Sequence, residues 1–106
     1  MTTYKSEFLY VTTIGHKTGT PHEIEIWFCE HEGAYYLCAE RRERTHWVQN
    51  IQHNPVVTFW VKGQSYNGRG RVIDSAAEPE LAKTVSDLLD AKYNWSDGLL
   101  VELRAN

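Results

Sequence analysis

The chain has 106 residues, the length of one domain rather than two. Its composition is 42% hydrophobic and 12% aromatic, which excludes an intrinsically disordered chain. The formal net charge of -3 gives no overall attraction to nucleic acid or acidic membranes. No apolar run approaches the roughly 18 residues of a membrane span, and the first residues do not resemble a signal peptide. We therefore expect a single cytoplasmic domain over residues 1–106.

The charge is unevenly distributed along the chain. Residues 1–40 hold two lysines and six glutamates, whereas residues 41–71 hold six lysines or arginines and one glutamate. Residues 72–106 are acidic again. The basic middle third favours an anionic ligand, although an ordinary solvated surface gives the same pattern.

The cysteine and histidine positions predict no metal site. Cys29 and Cys38 flank a predicted hairpin and do not form a Cys-x-x-Cys pair, so we expect buried, reduced thiols. His46 and His53 share one face of a predicted helix but are roughly 10 Å apart along it, too far for one ion.

Alternating polarity and a high content of β-branched and aromatic residues predict six strands. They cover residues 8–14, 22–30, 35–39, 56–62, 65–74 and 99–103. Helical spacing predicts helices at residues 45–54 and 81–92. This order predicts a mainly β protein with two helices, in which hairpins and short helices join the strands into an antiparallel barrel or sandwich.

Several residues mark the predicted ends and turns. Thr45 is a candidate cap for the first helix, and Pro79 suits the first turn of the second. Glu32-Gly33 is a predicted hairpin turn. Gly68 and Gly70 indicate a bend, a bulge or a close backbone approach within their strand.

The loop between the first two strands has the composition of an anion-binding site. The sequence GHKTGTP places Lys17 and Thr18 between Gly15 and Gly19, with Thr20 directly after. A lysine supplies a point charge for phosphate, and glycines let backbone N–H groups approach it closely. The spacing is not that of a P-loop, and no helix follows as in a dinucleotide fingerprint. An ordinary polar turn is the alternative.

This loop and the segments after it resemble the deazaflavin (F420)-dependent nitroreductase family, a branch of the flavin-binding split-barrel superfamily that includes the pyridoxamine phosphate oxidases. The resemblance covers roughly residues 8–73. The matching residues are Thr13, Gly15-His16-Lys17-Thr18-Gly19, Pro21-His22, Gly33, Tyr36, Trp47, Asn50, Asn54-Pro55 and Val57.

The resemblance implies a six-stranded antiparallel split β-barrel that forms a homodimer, with the cofactor at the subunit interface. The implied cofactor is coenzyme F420, a deazaflavin, or FMN. The residues implied to hold its phosphate or acidic tail are His16, Lys17, Thr18, Gly19, Pro21 and His22. Those implied to run along its ring are Ala39, Glu40, Arg41, Arg42 and Trp47.

Three residues depart from the family pattern. His16 stands where the family usually has arginine, so a permanent charge becomes titratable near neutrality. His22 replaces an arginine common in better-known members. Glu40 brings a negative charge toward the cofactor.

The implied reaction is hydride transfer from the reduced cofactor to a small acceptor such as a quinone, nitro compound or enone. Tyr93 is a candidate proton donor because it follows the last helix. A core or interface aromatic is the alternative for Tyr93, and Trp95 is equally ambiguous.

Two other functions are consistent with a small barrel. The first is a flavin, haem or lipid carrier or sensor without turnover. The second is single-stranded nucleic-acid binding through aromatic and basic residues interleaved on two strands. These residues are Trp60, Lys62, Tyr66, Arg69 and Arg71. The acidic flanks argue against nucleic acid as a partner.

Overall fold

A computed structural model describes residues 8–106, which form seven strands and two α-helices, so the predicted number of six strands is wrong. The elements are β1 (Phe8–Ile14), β2 (Pro21–Trp27), β3 (Cys29–His31), β4 (Ala34–Ala39), α1 (His46–His53), β5 (Val56–Val61), β6 (Gln64–Val72), α2 (Pro79–Tyr93) and β7 (Leu99–Ala105). A short 3-10 helix at Arg42–Arg44 precedes α1. The predicted domain also includes residues 1–7, which lie outside the described residues.

The seventh strand arises because the predicted strand 22–30 breaks at Phe28. Phe28 and Cys29 are both buried, which neighbouring residues of one half-exposed strand cannot be. The hydroxyl of Tyr93 and the ammonium of Lys92 bind the backbone of Phe28. Side chains of α2 thus replace strand pairing at this residue.

The sheet must curl because of this break. The strand order is β2-β1-β5-β6-β7-β4-β3, so two strands joined by one residue lie at opposite edges. Six strand spacings of about 4.8 Å would separate those edges by about 29 Å if the sheet were flat. The two-residue step from Trp27 to Cys29 spans at most about 7 Å. The antiparallel sheet therefore closes on itself near Phe28 and stays split elsewhere between its two edges, as a half-barrel.

The interior of the half-barrel holds the larger hydrophobic core. Alternate residues of β1, β4 and β5 point inward, among them Leu9, Leu37 and Phe59. Helix α1 contributes Trp47, Val48 and Ile51, the face that its sequence spacing predicts.

Helix α2 covers the outer face of β4 and β7. Val85 and Leu89 of the helix pack with Tyr36 and Leu100 of the strands in a second core. Every residue of β4 is therefore buried, with one face in each core.

The helix ends agree with the predictions within about two residues, with one exception. Pro79 begins α2 as expected, and Thr45 occupies the N-cap position of α1. The Thr45 side chain makes no capping hydrogen bond, however, so its predicted capping role is wrong. Among the described residues its buried hydroxyl has no hydrogen-bond partner.

The predicted turn at Glu32-Gly33 and the close approach at Gly68 are both confirmed. Glu32 and Gly33 have φ angles of 49° and 78°, which suit a tight hairpin between β3 and β4. A Cβ on Gly68 would lie 2.1 Å from the Arg104 carbonyl oxygen, so only glycine fits there.

A buried carboxylate joins β4, β6 and β7 on the outer face of the sheet. Glu102 is 3% exposed and accepts hydrogen bonds from Tyr36 (2.7 Å), Arg71 (2.9 Å) and Arg104 (3.0 Å). Arg71 also binds Glu78 before α2. Burial alone would raise the pKa of Glu102, but the bonds from Arg71, Tyr36 and Arg104 outweigh burial and lower it. Burial, and then the hydrogen bond to Glu102, raise the pKa of Tyr36 to about 12.

This network predicts acid-sensitive stability. Because the folded pKa of Glu102 is lowered, its contribution is present above the ordinary carboxyl pKa of about 4.3 and is lost as the pH falls through the folded value. We expect Glu102→Gln to reduce the free energy of unfolding at pH 7 by about 1–3 kcal/mol, since its arginine partners are half-exposed. The measurement is urea denaturation between pH 7 and pH 3.

The matched control is Glu78→Gln, which removes the more exposed partner of Arg71. It should cost clearly less stability than Glu102→Gln, because solvent screens an exposed ion pair. Equal losses for the two variants would contradict the central role of Glu102.

Candidate functional site

Two clefts meet at Trp47, near the split in the half-barrel. The first, the polar cleft, has a volume of about 380 Å³ and is lined by the β1–β2 loop, β2 and the first turns of α1. The second, the apolar cleft, has a volume of about 490 Å³ and is lined mainly by β2, the end of β4 and the end of α2. Trp47 lines both clefts, so the two lie side by side.

The β1–β2 loop is a tight, internally bonded structure. The Gly15 N–H donates to the Thr20 carbonyl at 2.8 Å, and the Gly19 N–H donates to the Gly15 carbonyl at 2.8 Å. A Cβ on Gly15 would lie 2.6 Å from the Thr18 hydroxyl and 3.0 Å from His22 Nε2. The Thr20 hydroxyl contacts both Thr18 (2.8 Å) and His22 (3.1 Å). Glycine at position 15 lets these side chains converge on one edge of the polar cleft.

Asn50 of α1 anchors the β1–β2 loop by hydrogen bonds to His16. It is 4% exposed, and its Oδ1 accepts the backbone N–H of His16 at 3.0 Å and meets His16 Nδ1 at 2.7 Å. Its Nδ2 donates to the buried Thr13 hydroxyl at 2.9 Å. Because Oδ1 is an acceptor, His16 Nδ1 carries the proton, which leaves Nε2 as the ring nitrogen that can meet a ligand. One buried amide thus ties β1, the loop and α1 together.

The polar cleft is lined by several nitrogen-bearing side chains that can donate hydrogen bonds. Lys17 and three histidines (16, 22 and 46) line it, against one carboxylate, that of Glu23. The first turn of α1 also borders the cleft, and the free N–H groups of a helix N-terminus favour anions. The unpartnered Thr45 hydroxyl lies at this same helix end.

The apolar cleft lies at the split between β2 and β4. Three tryptophans line it, from β2, α1 and the segment after α2: Trp27, Trp47 and Trp95. Its charged lining residues are Glu25 and Glu40, and the Tyr10 hydroxyl donates a hydrogen bond to Glu25. Flat, apolar walls with a few polar groups suit a planar organic ring.

The residues that we predicted for the site from the sequence are distributed between the two clefts in the structure. His16, Lys17, Thr18 and His22 line the polar cleft, whereas Ala39 and Glu40 line the apolar one. Trp47 stands between them. Gly19, with a φ of 73°, forms the loop turn, and Pro21 begins β2.

Arg41 and Arg42 lie beside the apolar cleft rather than in it. Together with Glu40 and Arg44 they border a separate shallow depression. Arg42 has a φ of 52° and binds Asp97 at 3.2 Å.

The Tyr93 hydroxyl contacts the backbone of Phe28, at 3.2 Å from its nitrogen and 3.1 Å from its oxygen. The Tyr93 ring stacks on Trp27, with ring centroids 4.5 Å apart.

The sequence analysis assigned no role to Trp27. It included Asn50 only as one of the residues that match the family pattern. Asn50 sits one residue before Ile51 on the apolar face of a helix, and a polar residue there signals a buried hydrogen-bonding role. Trp27 reads as one more alternating strand residue, because nothing in the sequence reveals that β2 becomes a sheet edge.

The residues proposed for nucleic-acid stacking do not form one surface. Trp60 pairs with Ser65 and faces outward, whereas Tyr66 pairs with the buried Phe59 and faces the core. Arg71 is bound by two carboxylates.

Solved structures of related folds match more than nine-tenths of the chain. The F420-H2 dependent reductase FDR-A is 17% identical, with 92% of this chain and 94% of that chain covered and a TM-score of 0.68. The conserved hypothetical protein Rv2991 from Mycobacterium tuberculosis is 20% identical, with 95% and 74% covered and a TM-score of 0.77. The FAD-binding protein mll6688 from Mesorhizobium loti is 11% identical, with 94% and 81% covered and a TM-score of 0.73. These likenesses show that the chain shares its fold with these proteins.

The sequence profile of the F420H(2)-dependent quinone reductases matches residues 2–97, so the chain belongs to this family of oxidoreductases. The resemblance to F420-dependent reductases is thereby confirmed. Comparison with curated protein sequences found no match. None of the helices in residues 8–106 is long and apolar enough to cross a membrane.

The anchoring role of Asn50 predicts a large effect of its removal. Asn50→Ala would leave the buried Thr13 hydroxyl and the His16 N–H without their partner, so we expect a loss of about 2–3 kcal/mol in the free energy of unfolding. Urea denaturation measures this loss. Gln52→Ala, at an exposed position of the same helix, should change stability by less than about 0.5 kcal/mol. A loss for Asn50→Ala as small as that of the control would refute the anchor.

Proposed function

We propose that this protein is an F420-dependent reductase that transfers hydride to a small planar acceptor, with quinones as the main class and nitro compounds or enones as further ones. The observation that carries this proposal is the pair of adjacent clefts that share Trp47 as a lining residue. The polar cleft fits an anionic tail and the apolar cleft fits a ring. Family membership favours F420 over FMN.

The residues of the polar cleft fit the tail of the cofactor. Lys17 supplies a permanent positive charge, and Gly15 keeps Thr18 and His22 close to the loop backbone. The N-terminus of α1 offers further hydrogen-bonding groups at this end. In this proposal His16, Lys17, Thr18 and His22 bind the tail, while Gly19 and Pro21 shape the loop.

In this proposal the apolar cleft positions the cofactor ring and excludes water from it. Ala39, Glu40 and Trp47 border the ring in this proposal, while Ile26 and Leu89 exclude water around it. When bound, reduced F420 supplies the hydride. Arg41 and Arg42 contribute positive charge at the rim of the cleft.

A carrier or sensor without turnover would use the same clefts. The family to which the chain belongs consists of reductases, which favours turnover. Reduction of an acceptor by the purified protein with F420H2 distinguishes the two functions.

Binding of the cofactor is tested with Lys17→Ala. We expect wild-type protein to bind F420 more tightly than FMN, and the variant to raise the F420 Kd about 10-fold because a charged hydrogen bond is lost. Fluorescence titration measures both cofactors. Lys83→Ala removes an exposed lysine of α2 that pairs with Asp87 and should leave the Kd unchanged. Failure of wild-type protein to bind F420 would refute the proposal.

We also propose a homodimer, with the cofactor near the subunit interface. Phe8, Trp27, Val56 and Trp60 are 37–50% exposed, and the strand register places all four on the outer face of β1, β2 and β5. Phe8 and Trp27 also line the apolar cleft. An exposed apolar patch beside a binding site suits burial against a second copy.

The proposed dimer predicts that a charged side chain at position 60 weakens the association of the subunits. Sedimentation should give the mass of a dimer, and Trp60→Glu should raise the dimer dissociation constant at least about 30-fold by placing a charge in an apolar interface. Ala91→Glu places the same charge on the exposed side of α2 and should leave the dimer intact. A monomeric wild-type protein would contradict this part of the proposal.

A further inference from the structure

Two side chains at the end of α2 bind Phe28, the single residue that links the edge strands β2 and β3. These hydrogen bonds to the backbone of Phe28 are called the clamp below. Lys92 Nζ donates to the Phe28 carbonyl at 2.9 Å and lies 3.7 Å from the centre of the Phe28 ring. Tyr93 reaches the same residue from the next position of the helix. The single-residue link between β2 and β3 is therefore held by side chains of α2 and not by strand pairing.

The Tyr93 hydroxyl is committed to this clamp. It accepts the Phe28 N–H at 3.2 Å and donates its own proton to the Phe28 carbonyl at 3.1 Å. Donation of that proton to a substrate would break one of these bonds at a part-buried junction of the fold. The geometry therefore gives the hydroxyl a structural role.

The Tyr93 ring has a second contact, which leads to the apolar cleft. It stacks on the Trp27 indole with centroids 4.5 Å apart and planes inclined by only 5°. The Trp95 ring meets Trp27 at 6.3 Å in an edge arrangement, inclined by 70°. Tyr93 covers one face of the indole and Trp95 packs edge-on, yet Trp27 remains 40% exposed and lines the apolar cleft.

We infer that Trp27 is the stacking platform for the acceptor, and that Tyr93 is a positioning residue that holds Trp27 in place. A flat indole braced on one face offers a planar acceptor a contact surface that needs no rearrangement on binding. The acceptor class that suits such a platform is planar and aromatic. The catalytic part of this inference rests on the proposed function.

The test compares two substitutions at each position. Trp27→Leu and Tyr93→Leu remove the stack, whereas Trp27→Phe and Tyr93→Phe keep a flat ring. The planar acceptor is a dimethylnaphthoquinone, whose substituted quinone-ring carbons resist thiol addition, and the non-aromatic comparison acceptor is cyclohexenone. The readouts are KM and kcat with F420H2, and quinone binding without cofactor followed by quenching of the remaining tryptophans.

We expect both leucine variants to raise the naphthoquinone KM and Kd about 5- to 10-fold, which is the effect of losing one aromatic stack. The phenylalanine variants should restore values within about twofold of wild type, and the KM for cyclohexenone should change little. Equal losses for both acceptors would indicate a general structural defect and overturn the inference. A naphthoquinone Kd unchanged in both leucine variants would overturn it as well.

Tyr93→Phe separates positioning from proton donation. It retains the ring stack and removes only the hydroxyl, so kcat and its pH profile should stay near those of wild type. A proton donor would instead lose about 100-fold or more in kcat in this variant. Such a loss would overturn the positioning role.

The binding readout keeps this inference separate from the proposed function. If F420 fails to bind but the quinone Kd follows the predicted pattern, the platform stands and the cofactor proposal fails. If F420 binds through Lys17 but the wild-type protein binds no naphthoquinone, the platform is refuted and the cofactor proposal stands. Circular dichroism of each variant establishes that it is folded.

Discussion

The one-residue step at Phe28 is the constraint on which the rest of this structure depends. It joins the two edge strands of a seven-stranded sheet, and no flat sheet can satisfy a link so short. The sheet curls until its edges meet there, and the edges diverge again beyond that point. The apolar cleft lies in this divergence, because its walls come from β2, the end of β4 and the end of α2. The cleft is therefore a consequence of how the sheet closes.

The same constraint explains why α2 matters to the site although most of the helix packs on the far side of β4. Its last turn supplies the hydrogen bonds that Phe28 lacks from strand pairing, through Lys92 and Tyr93. Tyr93 then reaches Trp27 in the wall of the cleft. Helix α2 thus has two roles. Its apolar face fills the second core, and its last turn holds Trp27 in the wall of the apolar cleft.

Two buried polar groups hold the fold at separate places. Asn50 links the β1–β2 loop to α1, and Glu102 links β4, β6 and β7 through three donors. Asn50 lines the polar cleft and binds His16 and Thr13 beside it, whereas Glu102 lines neither cleft. Satisfied polar networks of this kind specify one arrangement of the elements they join.

Local patterns in the sequence predicted both helices, the strands apart from the break at Phe28, and the loop between β1 and β2, because alternation, helical spacing and glycine spacing act over a few residues. The family followed from the order of those local motifs. Tertiary structure decided the break at Phe28, which local alternation cannot reveal because Tyr93 and Lys92 arrive from 64 or more residues away. It also decided that Trp27 faces a cleft, that Tyr66 and Trp60 lie on opposite sides of the sheet, and that the Tyr93 hydroxyl is bound to the backbone. Each depends on which strands become edges, and that is set by closure of the whole sheet.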